Sequence, residues 1–145
     1  MRTLRIIPLL VVVGCATIVN DYDKIAHELA SQYISPLIME GVKVSDIDES
    51  EQDDVRQVLV IKLERLLKEY FTQEELVELH NLFRTEQLAK AFAQKAQGNE
   101  LDTDARTYMR EKYKTSGALR KFVSVDFMKR IASDVLVESL KEYSK

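Results

Sequence analysis

A chain of 145 residues with 46% hydrophobic and 31% charged side chains, and only 4 glycines and 2 prolines, is composed for one helical domain and not for a sandwich or barrel. Its 21 basic and 24 acidic residues are interspersed and give a net charge of −3, which argues against nucleic acid as a partner. A single cysteine excludes an internal disulfide framework.

In chain order, Arg2 and Arg5 form a short positive region, Ile6 to Val13 an apolar run interrupted by Pro8, and Gly14 a small residue directly before Cys15. A transmembrane helix needs about 20 apolar residues. This run is far shorter, and Asn20, Asp21 and Asp23 stop its extension. The pattern is that of a cleaved signal peptide over residues 1–14. Val12-Val13-Gly14-Cys15 resembles the lipobox of bacterial lipoproteins, with Val12 where leucine is usual. That resemblance implies diacylglyceryl transfer to the Cys15 thiol, cleavage between Gly14 and Cys15, and further acylation by palmitate-type chains. The membrane would then be a partner through the lipid on Cys15. Ala16, not aspartate, follows the cysteine. The resemblance therefore implies the periplasmic face of the outer membrane in a two-membrane cell, and the cell membrane in a one-membrane cell. Residues 15–20 would be the lipidated terminus and a tether, whose five residues after Cys15 span no more than roughly 18 Å. Residues 21–145 form the single domain, expected to be all-α: a compact bundle of about five to seven short helices.

The first helix is expected near Asp21, with Tyr22, Ile25, Ala26, Leu29 and Tyr33 on one face. Ser35-Pro36 predicts a break and restart, and Gly41 to Ser50 a loop or frayed end. Ser50 to Asp53 offers the cap of a longer helix carrying Val55, Val58, Leu59, Leu63, Leu66, Leu67 and Tyr70. Thr72-Gln73-Glu74-Glu75 is a capping box opening a helix with Leu76, Leu79 and Phe83 inward. Thr85 is expected to cap the next helix, with Leu88, Ala89, Phe92 and Ala96 inward and Gly98-Asn99 as its stop. Asp102 or Thr103 begins another helix, and Ser124 the last. The apolar stripe of that last helix reads Met128, Ile131, Ala132, Val135, Leu136, Leu140 and Tyr143.

Residues 83–92 and 113–122 share an aromatic-basic-Thr pattern followed by a basic residue and Phe. Either a duplicated αα-hairpin or convergent cap chemistry accounts for it. Phe71-Thr72-Gln73-Glu74-Glu75-Leu76 and Phe83-Arg84-Thr85 also resemble an uncharacterised helical domain family of exported bacterial proteins, which implies a helical fold and no known activity.

Chemistry is sparse. His27 and His80 each stand alone in their helices, and neither has the second histidine of a helical zinc motif, so no metal or cofactor is expected. No glycine-framed serine nucleophile exists. Asp46, Asp48, Glu49, Asp53 and Asp54 form an acidic run without the glycine or spacing of an EF-hand, and are the candidate interaction surface. These features predict a non-enzymatic lipoprotein that binds an envelope protein partner or assists envelope assembly. Two alternatives stay open: an immunity or exclusion lipoprotein that blocks a toxin or phage component, and a cell-envelope hydrolase using one glutamate among Glu64, Glu69, Glu75 and Glu78.

Overall fold

The computed structural model describes residues 21–41 and 49–143, and its elements are all helical. The expected signal peptide and tether, with Gly14 and Cys15, and also Asp46 and Asp48, lie outside the described residues. Among the described residues seven helices follow one another: α1 (21–41), α2 (Glu49–Tyr70), α3 (Gln73–Phe83), α4 (Glu86–Ala96), α5 (Thr103–Thr115), α6 (Gly117–Phe122) and α7 (125–143). Among them no helix is long and apolar enough to cross a membrane.

α2 has 22 residues, so it is about 33 Å long, and it forms the backbone of the molecule. α1 and α7 both run antiparallel to it. On one side Asp23 meets Lys68 near the end of α2, and His27 meets Glu64 further back. On the other, Arg130 meets Glu69 and Glu142 meets Lys62. Of the shorter helices, α3 and α4 pack on α1, α5 packs on α4 and α6, and α6 packs on α3 and leads into α7. The core between them holds Leu59, Leu63 and Leu67 of α2, Leu76 and Leu79 of α3, and Leu119 of α6, all fully buried.

Most expected starts and stops are present. Thr72 accepts from the Glu75 N–H at 3.2 Å, while Glu75 accepts from the Thr72 N–H at 3.1 Å, completing the capping box. Asp102 caps α5 by accepting from Ala105 N–H, and Ser124 caps α7 by accepting from Phe127 N–H. Gly98 stops α4 at φ 78° in the left-handed region. There Asn99 N–H reaches Gln94 O and Gly98 N–H reaches Lys95 O, the two bonds of a Schellman turn.

Several expectations are corrected. The chain does not break at Ser35-Pro36. α1 instead widens into a π-helical turn over Leu29–Ile34, in which Ser35 N–H bonds Ala30 O. Proline has no N–H and its ring crowds the carbonyl four residues back, and a wider turn relieves both without ending the helix. The Ser31 hydroxyl donates to His27 O and that of Ser35 to Ser31 O, supporting carbonyls around that turn. α2 begins at Glu49, just ahead of the Ser50 to Asp53 start expected for it, and its first-turn acids favour the helix dipole.

α7 widens in the same way over Ile131–Val137. Its buried line is Phe127, Ile131, Val135 and Ser139, while Met128, Ala132 and Leu140 are exposed and Leu136 is half-buried. The side chain of Tyr143 lies outside those described.

The two halves of the sequence echo differ as well. Phe92 and Phe122 both turn inward and meet edge to face at 5.7 Å. Phe83 is buried, however, whereas Tyr113 is half exposed. Thr115 ends α5, and it is Ser116 that caps α6, accepting from Leu119 N–H. Thr85 stands before α4 but makes no cap bond. Its hydroxyl donates to Leu82 O and meets the Tyr108 hydroxyl at 3.0 Å.

Candidate functional site

Two helices contribute matched faces to one groove. Asp21, Lys24, Ile25 and Glu28 of α1, and Val77, His80, Asn81 and Arg84 along and just past α3, each follow the i, i+3, i+4, i+7 spacing of a single helix side. Together with Tyr33 they line a groove of about 430 Å³.

At its centre His80 Nε2 lies 2.8 Å from a carboxylate oxygen of Glu28. The pair is largely shielded, the side chains being 15% and 27% exposed. Tyr33 stands edge-on to the imidazole with centroids 6.0 Å apart and leans on Phe83 at 5.9 Å, so the ring is fixed from two directions. The adjacent His27 turns the other way and meets Glu64 of α2 at 3.2 Å. Consecutive residues of α1 thus tie it to α2 and to α3, and each tie uses one of the chain's two histidines.

Neither histidine is alone in space, although each is alone in its own helix. Glu28 and His80 are 52 residues apart, and no local spacing reveals such a pair. The signal that was present in the sequence is the repeated polar face on α1 and α3, which reads equally well as a solvated surface.

The acidic run distributes differently. Glu49, Asp53 and Asp54 are exposed at the start of α2, and Asp53 is held by Arg56. The four glutamates named for a hydrolase are all engaged. Glu64 meets His27, Glu69 meets Arg130, and Glu78 accepts from the Ser116 hydroxyl at 2.7 Å. Burial pushes the Glu75 carboxyl up, but the Thr72 N–H and Lys121 together hold it below its ordinary value. The aromatic residues are mostly core: Phe71, Phe83, Phe122 and Phe127 are buried. Among the described residues, no three His, Cys, Asp or Glu side chains converge as a metal site.

A second groove, of about 440 Å³, runs between α1 and α2 and is lined by His27, Ser31, Arg56, Gln57, Val60 and the exposed Ile61. It is more apolar, and its His27 is the histidine paired with Glu64. No family model, curated protein or solved structure matches the chain.

Proposed function

We propose that this protein is a lipoprotein anchored through Cys15, and that its helical domain binds a protein partner close to the membrane surface without turning over a substrate. The observation that carries the reading is Val12-Val13-Gly14-Cys15 behind a positive start and a short apolar run, followed within six residues by the first helix. A five-residue tether keeps the domain within a few nanometres of the lipid and raises its effective concentration for partners in that plane. Two or three acyl chains, each buried CH₂ worth about 0.8 kcal/mol, hold such an anchor stably. The binding reading draws support from Glu75. A general acid at neutral pH needs a carboxyl held up, and Glu75 is held down.

Cys15→Ala tests the anchor. Wild type is expected to incorporate radiolabelled palmitate and to fractionate with the outer membrane of a two-membrane host, and the variant to do neither. Equal labelling of the variant contradicts the reading.

The exposed acidic start of α2 is the surface for first encounter with the partner. Glu49 also supports the helix terminus, so the cleaner variant reverses Asp53 and Asp54 to lysine. It is expected to slow formation of the cross-linked complex in intact cells by about tenfold at low salt while leaving the helical circular-dichroism signal unchanged. An unchanged time course removes this surface from the interaction. Cleavage of peptidoglycan, lipid or peptide by the purified protein, abolished by one Glu→Gln change, replaces the binding reading with the hydrolase.

A further inference from the structure

One end of the bundle gathers the starts of α1, α3 and α7 around the end of α2. The Tyr22 hydroxyl of α1 lies 2.9 Å from Lys68 O and 3.1 Å from Phe71 O, and Arg130 of α7 meets Glu69 at 3.4 Å. Phe71 packs on Phe127 with ring centroids 5.0 Å apart. Val125 and Met128 stand on either side of Phe127 in the first turn of α7, yet they face outward, 68% and 37% exposed. Val125 is the most exposed large apolar side chain among the described residues. The charges around it are nearly balanced. Asp23 meets Lys68, Glu69 meets Arg130 and Glu75 meets Lys121. Asp21, Glu74 and Asp126 then stand against Lys24 and Lys129, so no strong field of either sign surrounds the apolar pair.

The length of chain ahead of Asp21 limits what can cover this surface. Five residues separate Cys15 from Asp21 and reach no more than roughly 18 Å. α1 rises about 1.5 Å per residue from Asp21, so the opposite end of the bundle lies about 30 Å away. A chain held by lipid at Cys15 therefore brings either the end that carries Val125 or a flank of the bundle against the bilayer, and keeps the opposite end off it. On the flank between α1 and α2, the exposed Ile61 stands among Arg56, Gln57 and His27. At the end, Val125 and Met128 are three residues apart on α7 and share one side of its first turn. The end offers the larger unbroken apolar contact, and a lipid surface needs no complementary charge to take it.

We propose that this end of the bundle rests on the lipid bilayer, with Val125 and Met128 entering the boundary between headgroups and acyl chains, so that the domain stands upright. The proposal rests on the anchor at Cys15 proposed above and adds a second, apolar contact to it. Standing upright holds Asp53 and Asp54, near the start of α2, about 25 Å beyond the end that meets the lipid, where a partner can reach them.

The chain has no tryptophan, so one introduced at a chosen site reports that site alone. Lipidated protein carrying Val125→Trp, Ile61→Trp or Leu140→Trp is reconstituted in phosphatidylcholine vesicles with and without brominated acyl chains. All three positions are exposed and apolar, so the affinity of the indole for the interface weighs on each alike. A depth of about 5–10 Å in the boundary is expected to let bromine quench the Val125→Trp emission by about half or more, and to leave the other two within about a tenth of their unbrominated values. Adding Met128→Glu to the Val125→Trp protein is expected to abolish the quenching with the helical circular-dichroism signal unchanged. Equal quenching at the three sites, stronger quenching at Ile61→Trp, or quenching that needs phosphatidylglycerol overturns the proposal. So does a blue-shifted Val125→Trp emission that bromine leaves untouched, which assigns the surface to a protein or to a second copy of the chain. Intact mass of the same samples reads the anchor separately. Lipid on Cys15 with all three reporters unquenched removes the upright docking and leaves the anchor; a chain without lipid removes both.

Discussion

Thr72 and Thr85 stand before α3 and α4 in similar extended conformations, yet only Thr72 caps. The difference lies three residues on. Glu75 reaches back to the Thr72 N–H, whereas the corresponding residue after Thr85 is Leu88, which is fully buried and has nothing to return. The Thr85 hydroxyl therefore turns to Leu82 O and Tyr108. Glu75 carries a second interaction, accepting from Lys121 Nζ at 3.2 Å, while Lys121 lies over the rings of Tyr70 and Phe71. Its carboxyl lies below the ordinary value of 4.5 in the folded protein. The stability it contributes is thus fully present above that value and is lost as pH falls through the lower folded value. Glutamine keeps the capping bond and removes the charge. Glu75→Gln is therefore expected to lower stability near neutral pH and to flatten its acid dependence, read from denaturant midpoints between about pH 3 and pH 7. Parallel pH curves for the two proteins would remove Glu75 from the acid response.

At the scale of elements, what was legible in the sequence followed from local chemistry. The Thr72 box, the Asp102 and Ser124 caps and the Gly98 stop each need only residues within five positions of one another, and each formed. What was not legible is how the helices widen. An i→i+5 turn holds more residues than the about 3.6 of an α-helix, so a stripe counted at α-helical spacing drifts off its true face. In α7 that places Phe127, Ile131, Val135 and Ser139 in one buried line and leaves Met128 and Leu140 outside. In α1 the same widening lets the chain pass Pro36. The start of α1 is fastened by a contact that sequence spacing also hides: the Tyr22 hydroxyl lies 2.9 Å from Lys68 O and 3.1 Å from Phe71 O, at the end of α2. Tyr22→Phe removes that bond and is expected to cost about 1 kcal/mol locally, speeding amide exchange over residues 22–28 roughly fivefold. The effect should exceed that on the centre of α2. Equal acceleration throughout would mean that α1 opens only when the whole domain unfolds.

At the scale of the molecule, a connected set of rings joins the ends of the bundle. Tyr70 and Phe71 pack on Phe127, Phe127 on Phe122, Phe122 on Phe83 and Phe92, and Phe83 on Tyr33, which in turn meets His80. The groove is therefore backed by the main core, through Tyr33, rather than mounted on a loop. Its assembly was not legible because α1 and α3 are brought together by buried leucines and alanines, while the polar residues that line it are exposed or half-buried and carry no local motif. The anchor is the opposite case: it is a local pattern, written in consecutive residues from Val12 to Cys15. The proposed anchor comes first, because it would decide where the domain works. Intact-mass measurement of the wild-type protein purified from membranes tests it most directly. The expected mass is that of a chain that begins at Cys15 and carries a diacylglyceryl group, with or without a third acyl chain. An unmodified chain beginning at Met1 would contradict it.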